Sequence, residues 1–383
     1  MNSTTESSEK LPPNSLSLYQ AFSQVEDPRD KRGIRYPLAV FLTVITLAKL
    51  CGQTELRGIA QWAQYRAASL CAAFELKRET MPHWTSYSRV LSRVDVEAVQ
   101  AAVLAGLPSE EPETPQLSMD GKTLRGTILP GQVQGAHLLA VYDPSQRQVV
   151  AQVRVDAKTN ELGAAPQVLT QVSLQDRLVT GDAMFTHAPL SQSILDAGGD
   201  YLWVAKDNQP HLCQMLERLF RSERPRPGHG CPTTDFQTVT QVNKGHGRVE
   251  RRTLTTSRML SGYCDWPGLQ QVFRLERSRQ AKTASATAQV VYGITSLAPD
   301  TASPADLLAF VRRHWAIENQ LHYVRDVTLR EDACRLALPR AQHLMAILNS
   351  LVVALLPRTP FAWLPDAQRF FEAHLPDALA LLL

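Results

Sequence analysis

The chain has 383 residues, 44% of them hydrophobic and 20% charged, with 24 prolines and 19 glycines. That is enough for two or three packed cores, and the apolar fraction excludes a disordered, collagen-like or disulfide-scaffold protein. Lys and Arg number 40 against 37 Asp and Glu, so the net charge of +3 points by itself to no class of partner.

Residues 1–16 are polar and Ser-rich, contain Pro12-Pro13, and read as a disordered lead-in. No basic stretch followed by an apolar run opens the chain, which predicts no secretory signal and a cytoplasmic protein. Residues 17–107 read as an all-helical N-terminal domain. In it Asp27-Pro28-Arg29 makes a charged turn and Pro37–Leu50 a buried helix. Thr54 can cap an amphipathic helix through Ile59, Trp62 and Ala63, and Asp95 can cap another. Residues 108–115 hold three prolines and three glutamates and read as a linker.

Over 116–209 the periodicity changes. Gln116–Asp120, His137–Tyr142 and Val149–Val155 form a three-stranded meander, followed by a helix at Ala164–Val172. A strand at Arg177–Gly181, a helix at His187–Ala197 and a strand at Asp200–Ala205 complete the order β-β-β-α-β-α-β. That order predicts a mixed sheet with helices on its faces and a ligand site at the carboxyl ends of strands. Residues 210–297 read as a β-rich insertion after a short helix, with strands at Thr238–Gln241, Arg248–Thr256, Gln271–Glu276 and Ala288–Ile294. Helix returns over 298–383, at Pro304–Leu329 and Ala341–Leu356. The longest apolar runs, Pro37–Ala48 and Leu344–Pro357, fall short of the ~20 residues of a membrane helix and read as buried.

Six scattered cysteines without C-x-x-C suit a reducing compartment. His211-x-Cys213 and His229-x-Cys231 together offer four zinc-type ligands, at a spacing foreign to structural zinc sites. Asp120 ends the first strand and Asp182 the fourth. Carboxylates at the ends of strands in one sheet can converge, and converging carboxylates persist around a cation such as Mg²⁺ or Mn²⁺. Either Asp could equally cap the turn that follows it. On the helix beyond residue 304, at ~100° per residue, Phe310, Ile317, Leu321 and Val324 cluster on one side, with His314, Glu318, His322 and Arg325 in an arc of ~80° beside them. An ion-pair ladder within the helix is the bland alternative. Two stretches are basic, one with Lys244, Arg248, Arg251, Arg252 and Arg258, the other with Arg312, Arg313, Arg325, Arg330, Arg335 and Arg340.

These residues resemble a known family. Asp120-Gly121-Lys122 with Arg125-Gly126, Gly181-Asp182-Ala183, Lys206 to Pro210, His246 to Arg252 and His314-Trp315-Ala316-Ile317-Glu318-Asn319 with Leu321-His322 and Asp326-Val327 are similar, in order, to the insertion-sequence DDE transposases, in the branch that includes the H-repeat-associated proteins. Asp27-Pro28-Arg29, Tyr36-Pro37-Leu38 and Ala48 to Gly52 resemble the helical domain associated with them. The resemblance implies an α/β, ribonuclease-H-like mixed-sheet catalytic core, built from 116–209 and 298–383 and interrupted by the β-rich insertion. It implies Asp120, Asp182 and Glu318 as catalytic and metal-binding residues, with Mg²⁺ as cofactor and Mn²⁺ able to replace it. The implied activity is cleavage of transposon ends and their joining to target DNA by two-metal phosphoryl transfer.

Implied DNA contacts are His314, His322 and Arg325 at the scissile phosphate, Lys122 and Arg125 at flanking phosphates, Lys206, and His246, Arg248 and Arg252 in the insertion. Implied partners are double-stranded DNA, both terminal inverted repeats and target, and a second protomer in a homodimer on paired ends. The location implied is the bacterial cytoplasm, at the nucleoid when DNA is bound. Two other readings stay open: a catalytically silent, host-adopted DNA-binding descendant, and a zinc hydrolase using His314, Glu318 and His322 at i, i+4, i+8. The C-terminal run Ala378 to Leu383 is too apolar for water, and is expected to be covered by the same chain or by a partner.

Overall fold

Ser17 and Gln20 close a reciprocal capping box that starts α1 (Leu18–Ser23). In this computed structural model residues 16–107, 115–128, 135–156, 159–221, 235–245, 248–281, 287–334, 336 and 338–383 are described. The expected lead-in, nearly all of the linker, His246, Arg335 and the His229-x-Cys231 pair lie outside them. The charged turn is held by Arg29, whose guanidinium meets Asp27 at 2.5 Å.

Every residue of α2 (Leu38–Leu50) is buried, as its unbroken apolar sequence requires. Around it pack α3 (Leu56–Tyr65), α4 (Ala67–Ala73), α5 (Trp84–Leu91) and α6 (Val96–Gly106). Asp95 caps α6 by accepting from the Ala98 N–H at 3.0 Å. Glu55, not Thr54, precedes α3, and it makes no side-chain cap.

The sheet begins with β1 (Gln116–Leu124), β2 (Ala136–Asp143) and β3 (Gln148–Val155), an antiparallel meander. After α7 (Glu161–Leu169), β4 (Leu178–Gly181) pairs parallel to β1; after α8 (Ala188–Asp196), β5 (Asp200–Ala205) pairs parallel to β4. Then come α9 (Pro210–Arg221) and four antiparallel strands, β6 (Gln237–Gly245), β7 (Arg248–Ser257), β8 (Gln271–Ala281) and β9 (Thr287–Thr295). The strand order is β3-β2-β1-β4-β5-β9-β8-β7-β6. The β-rich stretch therefore extends the same sheet, because β9 pairs antiparallel to β5.

Trp203, Val179, Leu117 and Leu139 fill one side of the sheet beneath α7 and α8. On the other lies α10 (Pro304–His314), with Leu307, Leu308 and Val311 on Leu254 and Leu275. Beyond Trp315 the helix continues in wide π-type turns over Ile317–His322 and Val324–Thr328.

The last helices, α11 (Pro339–Leu355), α12 (Leu364–Ala373) and α13 (Leu375–Ala380), share one core with α1 to α6. The run 339–358 is long and apolar enough to cross a membrane, yet it is a helix of this core, with residues 341–356 all buried. The apolar C-terminus is covered in part by its own chain, with Leu383 left exposed. Ala378 and Leu382 are buried, and the Leu382 carbonyl accepts from the Tyr19 N–H at 2.9 Å.

Candidate active site

Strand register puts the first two carboxylates side by side. Met119 of β1 pairs with Gly181 of β4, so Asp120 and Asp182 follow at neighbouring positions of parallel strands. Both line a cleft of about 290 Å³, together with Thr180, Lys206, His314, Trp315, Ile317 and Glu318. Gly181 has to be glycine, since a Cβ there would lie 2.7 Å from Phe185 and 3.0 Å from the Trp203 ring. Asp182 also accepts from the Met184 N–H at 2.9 Å, so its capping role coexists with its place in the cleft.

The helix after α10 supplies the third carboxylate. The Nδ1 of His322 lies 3.3 Å from Glu318 Oε2 and 3.4 Å from Asp120 Oδ2. Ligand atoms of Asp120, Glu318 and His322 all fall within 4.8 Å of one another, a spacing one cation can span. The hydrogen bond from His322 holds the Glu318 carboxyl below its ordinary range. Burial alone would push the His322 imidazole down, but its hydrogen bonds to Asp120 and Glu318 outweigh that and raise it. His314 turns elsewhere, its Nδ1 3.1 Å from Thr180 Oγ1, and burial favours its neutral form despite Asp120 and Asp182 nearby.

Arg325 is not beside Glu318. It is 1% exposed and its guanidinium holds Glu331 at 2.8 Å, with Ser350 behind it. The reason is the winding: π-type turns advance roughly 80–90° per residue in place of ~100°, so a residue seven places on swings to the far side. Glu318 and His322, four apart, stay aligned. Lys122, expected at a phosphate, is buried against Asp326 at 2.5 Å. Arg125 is exposed beside Asp332 and is not among the residues that line the cleft. Lys206 is exposed at the cleft itself. Arg248 is exposed at the start of β7, and Arg252 is ion-paired with Glu250 at 2.6 Å.

Arg277 and Gln289 belong to no motif read from the sequence, and Trp315 stands in one without an implied role. Arg277 and Gln289 reach the cleft from β8 and β9, and Trp315, half exposed, borders Glu318. Alternation along β8 was the available signal, because Arg277 follows Leu275 on the same face.

A mixed sheet that sets Asp120, within β1 just past its last parallel pair with β4, beside Asp182, directly after β4, and adds a helix glutamate has the architecture of a ribonuclease-H-like core. Asp120 therefore does not end its strand as expected, because β1 runs on to Leu124 in its pairing with β2. The transposase DDE domain family matches residues 112–355, and the DDE_Tnp_1-associated family matches residues 19–105. The chain belongs to the insertion-sequence DDE transposases. It is 27% identical over 350 residues to the Escherichia coli O157:H7 protein named "Putative transposase YncI", covering 89% of this chain and 87% of that one. It is 27% identical over 250 residues to the Escherichia coli K12 protein named "H repeat-associated putative transposase YhhI", covering 63% of each. Among solved structures, a piggyBac transposase in a synaptic complex with hairpin DNA aligns with a TM-score of 0.47 at 12% identity, over 94% of this chain and 80% of that one.

Proposed function

We propose that the chain cuts DNA at the ends of a mobile element and joins them to target DNA, using Asp120, Asp182 and Glu318. The convergence of all three carboxylates on one cleft carries this reading. Their donor set is rich in oxygen and suits Mg²⁺ or Mn²⁺, and the 4.8 Å grouping of Asp120, Glu318 and His322 fits a bound cation. A zinc hydrolase is not favoured, because His314 is bonded to Thr180 and only one imidazole joins that group. When bound, the divalent ions supply Lewis-acid stabilisation of phosphoryl charge and activation of the attacking hydroxyl.

The protein's own groups prepare the reaction. His322 holds Asp120 and Glu318 in register from below. Burial pushes His314 toward its neutral form, so it adds little positive charge to the cleft that Asp120 and Asp182 line. Lys206 adds positive charge at the rim for a phosphodiester, and Leu202, Leu275, Val291 and Val311 give the cleft an apolar wall. Joining two ends to one target needs two such sites, and a symmetric dimer on paired ends is the simplest arrangement.

The test is cleavage of a duplex carrying inverted-repeat sequence identified in the DNA on either side of the gene. Asp120→Asn, Asp182→Asn and Glu318→Gln should each abolish Mg²⁺-dependent cleavage and leave duplex binding in place. Binding by the unaltered chain without cleavage in Mg²⁺ or Mn²⁺ would favour the DNA-binding descendant. Mass measurement of the active complex checks the assembly: one protomer on one end during strand transfer excludes the dimer.

A further inference from the structure

The antiparallel register of β7 and β8 sets Arg252 directly opposite Arg277, and the next same-face pair outward is Glu250 opposite Arg279. Inward, the same face carries Leu254 opposite Leu275, which pack under α10. Arg277 thus sits where the buried part of this face gives way to the catalytic cleft, which Leu275, Arg277, Gln289 and Val291 line. From above, Arg312 of α10 donates to Gln241, the residue paired with Arg252 on its other side.

Three guanidiniums here share one carboxylate, and a fourth, that of Arg312, reaches Gln241 beside them. Glu250, 8% exposed, lies 2.6 Å from Arg252, 3.1 Å from Arg279 and 3.8 Å from Arg277. Its carboxyl is held low by these arginines against the upward push of burial. Like charges placed directly opposite across an antiparallel pair destabilise a sheet. The Nε atoms of Arg252 and Arg277 are, besides, buried without a hydrogen-bond partner among the described residues. Both features cost stability, and neither is needed to cover the core, which ends at Leu254 and Leu275.

We infer that Arg252, Arg277, Arg279 and Arg312 form a phosphodiester-binding subsite that runs outward from the catalytic cleft and seats the DNA backbone beside the bond being cut. The inference rests on the DNA-cutting reading above and adds Arg277, Arg279 and Arg312 to it. Same-face residues of a strand recur every ~6.8 Å, so Arg277 and Arg279 meet successive charges of an extended polyanion rather than one small anion. Glu250 keeps the cluster folded when no DNA is present, and leaves it with an excess of positive charge.

The experiment uses the full chain and a fluorescein-labelled duplex of arbitrary sequence, with affinity followed over a NaCl series. Arg277→Gln with Arg279→Gln should lower the slope of log affinity against log salt by about 1.8, at ~0.9 per phosphate contact. Arg277→Lys with Arg279→Lys should restore it, and Glu250→Gln should tighten binding and steepen the slope. Should the double glutamine variant fail to fold, the half-exposed Arg279→Gln alone should still lower the slope by about 0.9. An unchanged slope in a folded glutamine variant, or weaker binding by Glu250→Gln, overturns the subsite while duplex binding by the unaltered chain keeps the functional reading. No duplex binding by the unaltered chain overturns both.

Discussion

Lys122 and Asp326 lie 2.5 Å apart and tie β1 to the helix that carries Glu318. Two residues earlier on the strand and four earlier on the helix, Asp120 meets His322 at 3.4 Å. Two strand residues span ~6.8 Å and one helical turn ~5.4 Å, so strand and helix run alongside each other and share two polar contacts. The second contact brings the candidate catalytic carboxylates Asp120 and Glu318 together, and the first fixes the register at which they meet.

Removing one partner of the first pair should therefore disturb register more than chemistry. Asp326→Asn leaves Lys122 buried without its counter-charge, and should cost about 1–3 kcal/mol of stability, a partly exposed pair being worth less than a fully buried one. Cleavage should fall but survive. Lys122→Met combined with Asp326→Leu should recover most of the stability, which a double-mutant cycle by urea denaturation measures. Loss of all cleavage in Asp326→Asn together with full cleavage in Glu318→Gln would instead make Asp326 the third metal ligand.

Divalent ions should stabilise the fold through the carboxylate cleft. Binding to the native state alone adds about 2.7 kcal/mol at a hundredfold excess over Kd, so the melting temperature should climb with Mn²⁺ or Mg²⁺. In Asp120→Asn the climb should vanish. An equal climb in that variant would place the ion elsewhere.

The buried pair of Arg325 and Glu331 should govern part of the acid response. Arg325 contacts Glu331 through both Nε and Nη2, and Asn349 donates to it at 2.6 Å. Burial opposes the Glu331 charge, but Arg325 and the hydrogen bonds hold its carboxyl below its ordinary value of 4.5. A carboxyl depressed on folding gives stability that is complete above that value and is lost as pH falls below it. Glu331→Gln should cost about 3–5 kcal/mol at neutral pH, and should flatten the stability profile below pH 4.5.

His343 acts in a higher window. Burial, with Arg325 and Arg154 nearby, pushes its imidazole from 6.5 down to about 4. Between those values the unfolded chain binds a proton that the folded chain refuses, so stability falls as pH drops through the window, by about 3 kcal/mol in all. His343→Leu should remove that slope in denaturant midpoints taken between pH 7 and 4. A slope that persists unchanged would mean His343 is hydrated in the native state.

Much of the candidate site was legible in the sequence because its signals are local. Asp182 follows a run of strand-forming residues, Asp120 stands within another that runs on to Leu124, and Glu318 and His322 stand four apart on a helix, a spacing that survives a change of winding. The order of strands and helices was legible for the same reason, since periodicity two and periodicity near 3.6 are properties of a few neighbouring residues.

What the tertiary structure decided depends on contacts between distant segments. That the strands β6 to β9 extend the catalytic sheet follows from β9 pairing with β5, about ninety residues apart in sequence, which no local pattern encodes. The π-type turns after Trp315 send Arg325 to Glu331 and Asn349, where a helical projection at a fixed angle put it beside Glu318. Lys122, expected at a flanking phosphate, is buried against Asp326, and Arg277, just beyond the strand expected at Gln271–Glu276, lies in β8 opposite Arg252 at the cleft. A charge is given its role by the partner the fold brings to it, and for Arg325, Lys122 and Arg277 that partner comes from backbone winding and strand register rather than from the residue itself.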